Sequence, residues 1–166
     1  MSKSKKNICF IDGQNLHVGT RSMGWSLDYE KLKQLLEKKF NIDEAIYFIG
    51  AFDSEHQELY EELQRYGYIV SFRNHTGAAA SSKKGNVDAD IVFRMMRALY
   101  ERPKDFDKIV LISSDGDYRN VIDYLIEKDR LQTMLFPTKR GVSSLYNEVD
   151  EKYHDYISEY KDQIKA

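Results

Sequence analysis

A chain of 166 residues with 42% hydrophobic and 31% charged side chains is long enough to close a core without disulfides or a structural ion. Its formal net charge of −2 excludes a protein that is basic throughout, so any contact with a polyanion must come from a local patch. One cysteine, Cys9, lies inside an apolar run and excludes a disulfide framework. No stretch approaches the roughly 18 apolar residues of a membrane span, and the expected protein is a single cytoplasmic domain over residues 1–166.

Strand and helix signals alternate along the chain. Asn7 to Ile11 reads as a buried strand feeding a turn at Asp12-Gly13. From Ser26 to Phe40 the spacing of Leu27, Leu32, Leu35, Leu36 and Phe40 predicts an amphipathic helix with Ser26 or Asp28 as its cap. A second strand is expected over Ala45 to Ala51. Ser54 and Gln57 form a capping-box pattern for a helix that Gly67 ends, and Tyr68 to Phe72 reads as a third strand. Asn74 to Asn86 is a small-residue loop without periodicity. Helical spacing returns from Asp88 to Tyr100, a fourth strand follows over Lys108 to Ile112, and a helix carries Val121, Ile122, Leu125 and Ile126. Gln132 to Phe136 reads as a fifth strand and Pro137 to Ser144 as a loop. In the tail from about Val149, Tyr153, Tyr156, Ile157, Tyr160 and Ile164 stand at helical spacing, which predicts a helix to about residue 165. Its tyrosines read as a docked face; contact with bases or with a second subunit is the lesser reading, and a homodimer is left open.

Short buried strands separated by helices predict an α/β three-layer α/β/α sandwich, with a mostly parallel five-stranded sheet and right-handed crossovers. If strands one to three run outward to one side and strands four and five to the other, one and four are neighbours at the switch point. Ligands of open α/β sheets bind there, beyond the strand C-termini.

Four aspartates, Asp12, Asp88, Asp115 and Asp117, stand where strands end or helices begin and are expected to converge at that point. Two unit charges about 4 Å apart repel by roughly 4 kcal/mol at an effective dielectric near 20, so such a cluster reads first as a metal site. Asp115-Gly116-Asp117 brackets a glycine with two carboxylates that can reach one hard cation; the plainer alternative is a turn with a helix cap at Asp117. Asp12-Gly13-Gln14-Asn15 offers a carboxylate and an amide, and taken alone serves equally well as an Asx-capped turn. Asp88 opens a helix, where capping is the commoner use of a carboxylate. The preceding Lys84-Gly85-Asn86 raises its standing, because a lysine beside a carboxylate suits a site for metal and phosphate together. Asp90 lies about 200° further round the helix and is a candidate supporting residue.

A basic rim is expected around this acidic centre. Arg73, His75, Lys83 and Lys84 follow strand three, and Lys139 and Arg140 follow strand five; each taken singly is also an ordinary solvated charge. Together they suit a polyanion held while a metal acts on one phosphate. His17, Arg21 and Arg119 have the same standing. The histidines show no zinc-ligand spacing, and no nucleophile elbow, phosphate loop or dinucleotide glycine pattern follows the first strand.

The strings IDGQNL (Ile11 to Leu16), KGNVDADI (Lys84 to Ile91) and SSDGDY (Ser113 to Tyr118), in that order and at those separations, resemble the NYN domain group of PIN-like nucleases, including its bacterial LabA-like branch. The resemblance covers about Lys6 to Phe136. It implies a Rossmann-like PIN fold and a ribonuclease that uses Mg²⁺ or Mn²⁺ and leaves a 5′-phosphate. Carried over residue by residue, Asp12 matches the first acidic ligand, Asn15 the associated polar residue, Asp88 the second acid, and Asp115 and Asp117 the remaining pair. Asn15 would then position water or phosphate, and Lys84 would grip the RNA backbone. The chain departs from the pattern at Arg94, where many members carry a further acid, and at Ser114, the first glycine of the usual SGDGD string. The rival from another class is a noncatalytic RNA-binding or regulatory NYN module with a structural metal. A topoisomerase-primase-like domain would want glutamate as its first acid, and a haloacid dehalogenase a second aspartate where Gln14 stands.

Overall fold

The computed structural model describes residues 4–50, 52–73 and 87–166. Asn7–Asp12 (β1) is buried at every position, and its side chains alternate between two cores. Ile8 and Phe10 enter one apolar cluster, Cys9 and Ile11 the other, as a strand covered on both faces requires. The remaining strands are β2 (Ile42–Ile49), β3 (Ile69–Phe72), β4 (Ile109–Ile112), β5 (Leu131–Phe136) and β6 (His154–Tyr156). They form one sheet in the order β3-β2-β1-β4-β5-β6, with every pairing parallel.

Helices cover both faces. α1 (Gly13–Ser22), α2 (Tyr29–Phe40) and α3 (Gln57–Arg65) contribute Leu16, Leu32, Leu36 and Leu63 to the core that holds Cys9. α4 (Val87–Glu101) and α5 (Arg119–Glu127) contribute Ile91, Met95, Ile122 and Leu125 to the core that holds Phe10. A short α6 (Lys161–Ile164) returns Ile164 to the first of these.

Local chemistry sets the element ends, and here several expectations change. The cap of α2 is Asp28, whose side chain accepts from the Lys31 amide at 3.0 Å. The Ser54–Gln57 capping box does not form: Asp53 accepts from the Glu55 amide at 2.9 Å and starts a 3₁₀ turn ahead of α3, so the cap moves one residue back to Asp53. The end of α3 is as expected. Gly67 adopts φ +94°, and the amides of Gly67 and Tyr68 reach back to the carbonyls of Gln64 and Leu63, a Schellman closure. β2 begins at Ile42, three residues ahead of the expected start, a stretch masked in the sequence by Asp43 and Glu44, which stand between buried Ile42 and Ala45 and interrupt the apolar run that marks a strand.

Two corrections are larger. β1 feeds a helix directly, not a turn: Asp12 caps α1 by accepting from the Asn15 amide at 3.2 Å. Gly13 is needed there for closeness, since a Cβ would lie 2.4 Å from the Tyr47 ring and 2.7 Å from the Phe48 carbonyl oxygen. The sheet also has six strands and not five. In place of the long tail helix, His154–Tyr156 pairs with β5, with Met134 opposite His154. The tail aromatics serve both sides of the sheet: Tyr153 and Tyr156 pack on one core, Tyr160 and Ile157 on the other. A single helical face cannot do that.

Gly13→Ala is expected to lower thermal stability by about 1–3 kcal/mol, because the added methyl overpacks the contact with β2. A melting temperature equal to that of the parent protein would contradict this account of the glycine.

Candidate metal centre

β1 and β4 lie side by side with Ile11 opposite Ile112, so Asp12 and the chain leaving β4 emerge together at the switch point. Asp12 is buried, with 7% of its surface exposed. One carboxylate oxygen caps α1; the other accepts from the Tyr118 hydroxyl at 3.2 Å and lies 3.4 Å from Ser113 Oγ. The same Tyr118 hydroxyl stands 2.8 Å from Asp88 Oδ1. Asp88, Asp115 and Asp117 each present an oxygen, all within 4.8 Å of one another. The expected quartet is thus a triad backed by Asp12, with Tyr118 between Asp12 and Asp88.

Burial raises the pKa of Asp88 to about 6, and the nearby carboxylates of Asp117, Asp115 and Asp12 push the same way against the Tyr118 hydrogen bond. Burial likewise raises Asp12, against the bonds it accepts from Asn15, Tyr118 and Ser113. The tyrosine hydroxyls of Tyr118 and Tyr146 are pushed well up, chiefly by burial and then by the aspartates, so both act as donors. One hydroxyl proton cannot serve two carboxylates at once. Crowding of this kind favours taking up a proton or a cation.

The donor set fits a hard divalent cation. Three carboxylate oxygens within 4.8 Å of one another are the hard, anionic oxygen donors that such an ion takes.

Neighbouring segments hold the turn that carries two of these acids. Asn15 Oδ1 accepts from the Ser114 amide at 3.0 Å and lies 3.2 Å from its hydroxyl, tying α1 to the end of β4. Asp115 accepts from the Asp117 amide at 3.0 Å, so Asp115 is the cap that had been expected at Asp117. Tyr146 donates to the Asp115 carbonyl, Ser143 N donates to the Ser114 carbonyl at 3.1 Å, and Arg119 binds the Leu145 carbonyl. At Gly116 a Cβ would meet Ser143 Oγ at 2.5 Å, so the segment after β5 closes tightly over the acidic turn. Tyr118 and Tyr146 were not anticipated. The only signal was that Tyr118 directly follows Asp115-Gly116-Asp117.

The basic residues are less gathered. Arg73 follows β3 and lines a cleft with Asp90 and Arg94. Lys139 is committed to Glu159 at 3.0 Å and lies over the Tyr156 ring. Arg140 is exposed and borders a groove of about 910 Å³ whose other walls include Asn15, Val18, Met23 and Ser114. Arg119 is paired with Asp123 at 2.8 Å. Lys83, Lys84 and His75 lie outside the described residues.

The NYN domain profile matches residues 7–158. The chain belongs to the NYN domain family. It is 25% identical over 150 residues to the low amplitude and bright protein LabA of Synechococcus elongatus, covering 85% of this chain and 78% of that protein, which puts it in the LabA-like branch. Its fold matches the crystal structure of a protein of unknown function from Vibrio parahaemolyticus with a TM-score of 0.78 at 20% identity, over 100% of this chain and 99% of the other.

In this NYN domain the raised pKa of Asp88 has a signed consequence. Between its ordinary 3.8 and about 6 the folded protein binds protons that the unfolded chain releases, so stability is full below that window and declines as the pH rises through it. Asp88→Asn removes that loss. With chelator present, the variant is expected to melt above the parent at about pH 7.5 and level with it near about pH 4; a variant no more stable at the higher pH would contradict the crowding.

Proposed function

We propose that this NYN domain is a divalent-metal-dependent ribonuclease that hydrolyses RNA phosphodiester bonds. The observation that carries the reading is the convergence of Asp88, Asp115 and Asp117 oxygens within 4.8 Å at the switch point of the sheet. NYN domains are generally nucleases, which supports the same reading. Asp88, Asp115 and Asp117, with Asp12 behind them, would hold Mg²⁺ or Mn²⁺, which would supply Lewis acidity and make water more acidic.

The chain's own groups do the rest. Tyr118 fixes Asp12 and Asp88 relative to one another, so the two acids keep one geometry as their charge changes. Asn15 holds Ser114 and thereby the start of the acidic turn; its amide nitrogen is the group left to meet phosphate or water. Arg140, on the exposed wall of the neighbouring groove, is the best placed of the expected cations to hold a flanking phosphate. Lys139 contributes only if it leaves Glu159; Arg73, and Lys83 and Lys84 from outside the described residues, are the further cations proposed to hold the backbone. Cys9 takes no part: burial pushes its thiol far up, which suits a core residue in a reducing, cytoplasmic setting.

With Mn²⁺ or Mg²⁺ the protein is expected to cut single-stranded RNA, and EDTA to abolish cutting. Asp12→Asn and Asp115→Asn should each lower kcat/KM by about a hundredfold or more, and Tyr118→Phe should weaken metal affinity by about tenfold or more. Cleavage that survives chelation or the aspartate variants contradicts the reading. RNA binding with no turnover in either ion would move it to a noncatalytic RNA-binding module with a structural metal.

A further inference from the structure

On the far flank of α4 from the acidic triad, Ser71, Phe72, Arg73, Asp90, Phe93 and Arg94 line a cleft of about 350 Å³. Three features there are unusual for an ordinary surface. Phe93 leaves 63% of its surface in solvent, although it stands on a helix whose neighbouring turn buries Ile91 and Met95 completely. Arg73 has one guanidinium nitrogen that is sealed from solvent and makes no hydrogen bond among the described residues, where a buried charged donor normally finds an acceptor. Arg94 adds a second guanidinium, lying over the Phe48 ring at 5.9 Å. The floor is firm, because Phe72 is wedged against Tyr60 and Phe52 at ring distances of 5.0 and 5.6 Å.

We propose that this cleft binds one unpaired nucleotide of an RNA strand whose reacting phosphate lies at the triad. The inference rests on the ribonuclease reading and names the form of its substrate. The base stacks on Phe93, and the guanidinium groups of Arg73 and Arg94 that line the cleft hold the phosphate. Stacking on an exposed ring beside arginines is the usual platform for single strands, and a guanidinium takes phosphate oxygens in charge-assisted bonds. Asp90 in the cleft wall accepts an N–H from the base edge. At about 1.5 Å and 100° per residue, Phe93 lies about 7.5 Å along α4 from Asp88 and about 140° round it. A strand leaving the triad therefore reaches the cleft by crossing the first turn of α4, a path that suits a flexible single strand and not a rigid duplex.

The test is fluorescence anisotropy with a labelled single-stranded RNA decamer in EDTA, where no hydrolysis occurs. The parent protein is expected to bind the single strand more tightly than the same sequence as a duplex. Phe93→Ala should weaken single-strand binding by about fivefold or more, and Phe93→Tyr should keep it. Arg73→Gln should weaken binding and lower the slope of log affinity against log salt by about one. Because Phe93 is exposed, its variants are expected to melt with the parent. Binding by Phe93→Ala within about twofold of the parent, or a parent that prefers duplex or binds no RNA, overturns the proposal. The two readings fail separately. A protein that binds through Phe93 yet never cuts with Mn²⁺ keeps the cleft and loses the nuclease, whereas one that cuts while ignoring Phe93→Ala does the reverse.

Discussion

Three carboxylates whose oxygens lie within 4.8 Å of one another, with the buried Asp12 behind them, repel by roughly 4 kcal/mol per close pair at an effective dielectric near 20. A free chain would never gather them. Parallel pairing gathers them here, since β1 and β4 are adjacent and deliver Asp12 and the Asp115 turn to one edge. Asp88 arrives from the first turn of α4, which packs its Ile91 and Met95 into the core beneath. The apolar cores thus stabilise an arrangement that electrostatics opposes, and a cation held there would turn the opposition into binding energy.

The protein limits that repulsion with neutral donors. Tyr118 spans Asp12 and Asp88, Ser113 approaches Asp12, and backbone amides serve Asp12 and Asp115. These groups stay protonated while the acids titrate, so the geometry is already formed when a cation arrives. The same logic explains the bracing from Asn15, Ser143 and Tyr146. One of the acids sits in a 3₁₀ turn and another caps it, and without fixed neighbours such a turn would relax away from the charge gathered there.

Much of this was legible from the chain. The alternation of apolar runs and helical spacing, together with the convention of strand placement, brought Asp12, Asp88 and Asp115 to one point before any coordinates. What was missed has physical reasons. α1 buries Gly13, Leu16 and Thr20, a face with a single large apolar residue and so no apolar periodicity; Gly19 touches Pro137, where a Cβ would lie 2.5 Å away. β6 was hidden because Tyr156 within it and Tyr153 and Tyr160 on either side happen to stand three and four residues apart, the spacing of a helix face. Tyr118 reads as a core aromatic in any pattern, and only its hydroxyl between two acids gives it another role. Lys139 looked like a free cation because its partner, Glu159, lies 20 positions on in a tail that was expected to be one helix.

The most direct test of the central claim is a crystal soaked in Mn²⁺, with the anomalous signal of manganese locating the ion. The account predicts a peak coordinated by oxygens of Asp88, Asp115 and Asp117. Saturating Mn²⁺ with no peak between these side chains, or one bound elsewhere only, would contradict it.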